Sequence, residues 1–199
     1  ADQRGHEVFY LNAVDLALDH DRVKASLQRL HVNDDVDNPF VVEAAKWQAL
    51  DEMDVVWIRT DPPVDRSYIY ATLLLDLLPE RIRVVNRPST IRDWNEKLAA
   101  LRYPDWTPRT IVSRDHGRIR AFTEQFSRVT IKPIDGHGGS GILFVTATDS
   151  DFDLIINEAT HDGRHWVIVQ EYLVAAHDGD KRILLLDGQP LGAILRLHA

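Results

Sequence analysis

Cysteine is absent from this chain, which excludes disulfides, thiolate metal sites and a cysteine nucleophile. No apolar stretch approaches the length of a membrane span, and no signal peptide opens the sequence. Basic runs are missing too. Thirty-one acidic residues against 23 Lys and Arg leave a net charge of -8 and a pI near 5.5. That balance argues against a nucleic-acid groove or an anionic membrane surface as the main partner. Any phosphate binding must come from a few placed cations. What is present suits a soluble cytoplasmic protein: 199 residues, 44% hydrophobic, room for one large domain or two small ones. Both ends read as cut. Residues 1–11 suggest a helix tail, a glycine stop and a strand, and the strand beginning near Gly192 stops at the C-terminus, so an internal fragment of a longer protein is expected.

The most informative stretch runs from Val129 to Val145. A β-rich segment carrying Lys132 enters a loop with Gly136, Gly138, Gly139 and Gly141, and a second β-rich segment, Ile142-Leu143-Phe144-Val145, leaves it. Glycines let the backbone approach an anion and point its N–H groups inward. Walker and Rossmann loops open into a helix, whereas this exit is β-branched and aromatic. The expectation is a flap joining two strands over phosphates; a plain glycine hairpin with a surface lysine is the other reading.

Around it the pattern predicts a parallel α/β first half and an α+β second half. The first half has a parallel strand at 8–11, a polar, aspartate-rich region over 12–38, a short helix over 41–50 and a buried parallel strand over 53–59. A helix over 68–78, apolar nearly all round, a parallel strand over 83–86 and a helix over 90–101 follow. The second half has a strand at 110–112, helices over 117–126 and 151–160, a strand over 166–170, and a hairpin turning at Asp187-Gly188, a type I′ signal.

Four groups could carry chemistry. Arg59-Thr60-Asp61-Pro62-Pro63 follows a strand end, where open α/β sheets bind ligands, or is a rigid turn. Asn95-Glu96-Lys97 is placed on a helix, its lysine reaching a phosphate or solvated. Gln170-Glu171-Tyr172-Leu173 could meet a purine edge, or be an ordinary strand end. Asp178-Gly179-Asp180-Lys181-Arg182 combines a ribose-binding carboxylate with an arginine fork, or is a solvated hairpin.

Taken in this order, with Val84-Val85-Asn86-Arg87-Pro88-Ser89, these stretches resemble the prokaryotic-type glutathione synthetases of the ATP-grasp superfamily. The resemblance runs from about Gly5 to Arg196. It implies a pre-ATP-grasp N-terminal domain over 1–92, its first strand missing, and an ATP-grasp domain over 93–199, incomplete at its C-terminal end. Lys97 and Lys132 resemble the ATP-phosphate lysines; Asp135, Gly136, His137, Gly138 and Gly139 the flap. Gln170, Glu171, Tyr172 and Leu173 resemble the adenine hinge, Asp180 a nucleotide contact, and Arg182 and Arg196 the arginines that hold substrate or the moving phosphoryl group. The implied reaction joins γ-glutamylcysteine to glycine through an acyl phosphate, with ATP and Mg²⁺. The magnesium ligands are expected beyond the C-terminal end, so no residue of this chain is assigned to metal and the truncated chain itself is expected to be inactive. A homo-oligomer is possible. The alternatives are another ATP-grasp carboxylate–amine ligase, or an ATP-binding module without turnover.

Overall fold

The computed structural model describes residues 4–197, which divide between Ala99 and Ala100 into two compact units. Residues 1–3 of the helix tail expected before Gly5, and the last residue of the final expected strand, fall outside that range.

In the first unit, β1 (Val8–Tyr10), β2 (Ala17–Asp19), β3 (Arg22–Val32), β4 (Phe40–Val42) and β5 (Lys46–Ala49) form one antiparallel sheet. The eleven-residue β3 is its spine and pairs with the other four. Val23, Ala25 and Leu27 alternate into the core with Leu50 and Leu75, while Arg22, Lys24 and Ser26 face the other way.

The polar, aspartate-rich 12–38 stretch holds β2 and the long β3, where Arg22 and Lys24 alternate with Val23, Ala25 and Leu27. Two expectations fail here. The 8–11 strand is antiparallel, because its neighbour is β3. The helix expected over 41–50 is two strands, because β-branched and aromatic Phe40, Val41, Val42 and Trp47 pair with β3, and pairing overrides a weak helical spacing.

Among the described residues parallel pairing is confined to β6 (Val55–Trp57) and β7 (Arg83–Val85). Each has one partner strand, so Val55 and Trp57 are exposed where a buried strand was expected. Between them lies α1 (Arg66–Leu75), started by the Asp65 side chain, which accepts from the Tyr68 N–H at 2.9 Å. Only Thr72 and Leu75 of this helix are buried; Tyr70 and Leu73 face out, so it is not buried all round. The next helix, α2 (Pro88–Asp93), is short. It does not run on to 101 because Asn95 accepts from the N–H groups of Lys97 and Leu98, at 3.0 and 3.1 Å, and turns the chain.

In the second unit, β8 (Thr110–Ser113), β9 (Val129–Pro133), β10 (Leu143–Val145) and β11 (Val167–Glu171) form an antiparallel sheet in the order β10-β9-β11-β8. Helices α3 (His116–Thr123) and α4 (Phe152–Thr160) cover one face. Phe152, Ile155, Ile156 and Ala159 recur at helical spacing and pack with Ile119, Phe122, Val129, Ile131, Val145, Val167 and Val169. Asp115 caps α3 by accepting from the Arg118 N–H at 2.8 Å. Replacing it with Ala should lower stability by about 1 kcal/mol, read in a urea melt as a lower midpoint with unchanged slope.

The chain closes with the hairpin β12 (Asp180–Leu186) and β13 (Gln189–Arg196). Its turn has positive φ at both Asp187 and Gly188, as the Asp-Gly pair predicts. Ile183, Leu184, Leu185, Leu191, Ile194 and Leu195 are all more than half exposed. The mixed α/β class read from the sequence holds. Among the described residues no helix is long and apolar enough to cross a membrane.

Candidate functional site

Alternation along the strands sorts the second unit's sheet into two faces. One carries the helix-packed core. The other carries Arg128, Thr130 and Lys132 from β9 and the residue before it, Phe144 from β10, Ile168 and Gln170 from β11, and Thr110 and Val112 from β8, by the observed register.

On this face the Lys132 ammonium donates to the Gln170 Oε1 at 2.8 Å, and the Gln170 amide donates onward to the Thr110 hydroxyl at 2.9 Å. Lys132 is half-buried, so its stem is held by the sheet while its charge is fixed by a neutral partner. It stands one residue before Pro133, where β9 ends and the glycine loop begins.

The loop runs strand to strand, since β9 and β10 pair antiparallel through Ile131↔Leu143 and Val129↔Val145. Gly138, Gly139 and Gly141 have positive φ, and the Ser140 N–H donates to the His137 carbonyl at 3.0 Å. Gly136 is demanded by space: a Cβ there would lie 2.4 Å from the Pro133 Cγ. The loop is therefore folded tightly against the end of the lysine's own strand. Asp135, His137, Gly138 and Gly139 are exposed along it.

Beyond β11 the Glu171 N–H donates to the Arg109 carbonyl at 2.9 Å and the Tyr172 N–H to the Arg128 carbonyl at 3.2 Å. Those two donors are engaged within the protein. The Phe144 and Tyr172 rings meet edge to face at 5.5 Å. Nearby, Asp149 accepts from the Thr146 N–H at 2.8 Å and from its hydroxyl at 2.7 Å, and these bonds hold its carboxyl below the ordinary range.

A separate cluster sits at the open end of the last hairpin. Asp180 and Arg196 are directly paired in register, and the guanidinium donates from both Nε and Nη2 to Asp180 Oδ2. Arg182 shares their face, opposite Ile194. Lys97 belongs to the first unit, in a turn rather than on a helix, for the Asn95 reason given above; its ammonium lies 3.4 Å from Glu96. The structure thus brings Lys132, Gln170 and the loop together, and pairs Asp180 with Arg196. Thr110, Phe144 and Arg128 were missed by sequence reasoning. Only strand register reveals them.

The sheet face thus ends in a strand-to-strand glycine loop with a lysine at the loop's entrance. Residues 96–199 match the family model of the prokaryotic glutathione synthetase ATP-grasp domain, and residues 1–92 match that of its N-terminal domain. The chain belongs to the prokaryotic glutathione synthetase family. It is 40% identical to the glutathione synthetase of Gloeobacter violaceus over 99% of this chain and 63% of the relative. It is 45% identical to that of Thermosynechococcus vestitus over 79% of this chain and 50% of the relative. The chain thus spans less than two thirds of these curated relatives. Among solved structures, the ATP-grasp ligase PsnB complexed with minimal precursor, Mg and ADP shares the fold at a TM-score of 0.50 and 19% identity, over 84% of this chain and 59% of that one.

Proposed function

We propose that the protein carrying this chain is a glutathione synthase. It would ligate γ-L-glutamyl-L-cysteine to glycine with ATP, through an acyl phosphate, releasing ADP and phosphate in the cytoplasm. The observation that carries this reading is Lys132, fixed by Gln170 where β9 enters the glycine loop. Family membership supports the choice of substrates.

In this reading Lys132 neutralises charge on the transferring phosphoryl group, and N–H groups of residues 136–139 surround the phosphates. Folding the loop over them would keep water from an acyl phosphate. Gln170, Glu171, Tyr172 and Leu173 line the base. Since the Glu171 and Tyr172 N–H groups already have carbonyl partners, the Leu173 N–H is the donor this segment would offer a purine. Asp180 would hold the ribose, and Arg182 and Arg196 the peptide carboxylate or the moving phosphoryl. Lys97 would be the second phosphate lysine. The proposed division is 1–92 for the N-terminal domain and 93–199 for the ATP-grasp domain. Magnesium would add Lewis-acid charge neutralisation on the phosphates. Among the described residues no three His, Asp or Glu side chains converge as metal ligands.

The whole protein should release phosphate only when ATP, Mg²⁺, γ-glutamylcysteine and glycine are all present. Equal release with a pair of D-alanines would overturn the substrate choice in favour of a sibling ligase. Calorimetric titration of this chain with ATP tests the nucleotide reading alone, and no heat at millimolar ATP would reject it.

A further inference from the structure

Arg128, just before β9, lies on the lysine face, four residues before Lys132 and therefore about 13 Å along the strand from it. Its guanidinium sits 5.4 Å from the centre of the Phe144 ring and 5.1 Å from that of Tyr172. The two rings are themselves edge to face, with planes at 88°. The Arg128 carbonyl also accepts the Tyr172 N–H. None of these three residues belongs to the unit's buried core, so core packing does not account for their arrangement.

The arrangement ties three chain segments at one point. Phe144 is on the strand that leaves the glycine loop, Tyr172 on the segment that leaves β11, and Arg128 at the start of the strand that leads into the loop. A tyrosine has two soft side-chain torsions; a main-chain bond and a planar cation over its ring restrict both its backbone and its ring. Asp149 is close enough for its carboxylate to feel the guanidinium charge, which helps hold the cation at this corner.

We propose that Arg128 is a positioning residue for the nucleotide base: it orients Tyr172, and through Phe144 it couples the base end of the face to the exit strand of the glycine loop. The proposal rests on the nucleotide reading of this face. A base-end role separates cleanly from a phosphate-end role, because inorganic tripolyphosphate engages only the latter.

The test uses the full chain and two ligands, ATP and inorganic tripolyphosphate, with Arg128→Gln, Arg128→Lys and Phe144→Leu. All three substitutions leave the Arg128 carbonyl in place for the Tyr172 N–H. Arg128→Gln should weaken ATP about fivefold, in keeping with two exposed cation–π contacts, and leave tripolyphosphate unchanged. Arg128→Lys should not restore ATP affinity, since an ammonium cannot stack as a planar fork does. Phe144→Leu should reproduce the ATP-selective loss, and combining it with Arg128→Gln should add little. Equal loss for both ligands, or full ATP affinity in Arg128→Gln, overturns the proposal. If the unaltered chain binds neither ligand, the nucleotide reading fails and takes this inference with it. Melting curves of each variant identify any that have not folded, and the remaining variant then decides.

Discussion

Lys132→Met should weaken ATP binding by about ten- to a hundredfold, the equivalent of a charge-assisted hydrogen bond worth about 1.5–3 kcal/mol. Methionine keeps an unbranched stem along the sheet, so the half-buried packing survives while the ammonium is removed. The Gln170 Oε1 loses its donor, but the Gln170 amide keeps the Thr110 hydroxyl at 2.9 Å. Thermal stability should therefore move little. The measurement is calorimetric titration with ATP, beside a melting curve of the same preparation. A variant that binds ATP like the unaltered chain would mean that Lys132 only props up Gln170. The phosphates would then be held elsewhere, and the glycine loop would be an ordinary hairpin connection.

The second unit was legible because its patterns are local. Ile131 and Val129 alternate with Thr130 and Lys132, and Phe152, Ile155, Ile156 and Ala159 recur at helical spacing, so strand and helix read directly. The Asp187-Gly188 turn is a two-residue signal, and both residues adopt the positive φ it requires. In the first unit the deciding interactions are distant. β4 and β5 are strands because β3 is there to pair with them, and β3 itself is disguised by Arg22, Lys24, Arg29 and His31. Where α2 stops depends on one asparagine side chain folding back on the next turn.

The site divides in the same way. Lys132 and the loop glycines are contiguous, so the composition of one segment exposes them. The Gln170–Thr110 bond joins residues 60 apart, and the Arg128, Phe144 and Tyr172 cluster exists only through the pairing of three segments. Sequence spacing contains no trace of either. The Asp180–Arg196 pair lies between: both residues were singled out for binding roles, yet their partnership follows from hairpin register alone. A ligand that recruits Arg196 must therefore compete with, or share, the carboxylate of Asp180.

That pair also sets the expectation for Gly179→Ala. Gly179 has φ +102, a conformation that residues with a Cβ rarely adopt, and a Cβ there would lie 2.3 Å from the Arg196 carbonyl oxygen. The Leu197 Cδ2, at 3.3 Å, could swing aside, but the carbonyl cannot move without shifting Arg196 out of register with Asp180. Strain and overlap together should cost roughly 2–4 kcal/mol. Little of this should reach the melting temperature of the core. The hairpin is exposed on both faces and can open locally while β9 and β11 stay packed. Hydrogen exchange is the sensitive readout: amides of Asp180–Leu186 should lose protection while those of β9 and β11 keep theirs. Gly188→Ala is the matched control. Its φ is +79 and its Cβ would meet open space, so only the backbone term applies, about 1 kcal/mol. Equal protection loss in the two variants would show that the Arg196 carbonyl yields readily, and that the open end of the hairpin is not held by the close approach at Gly179.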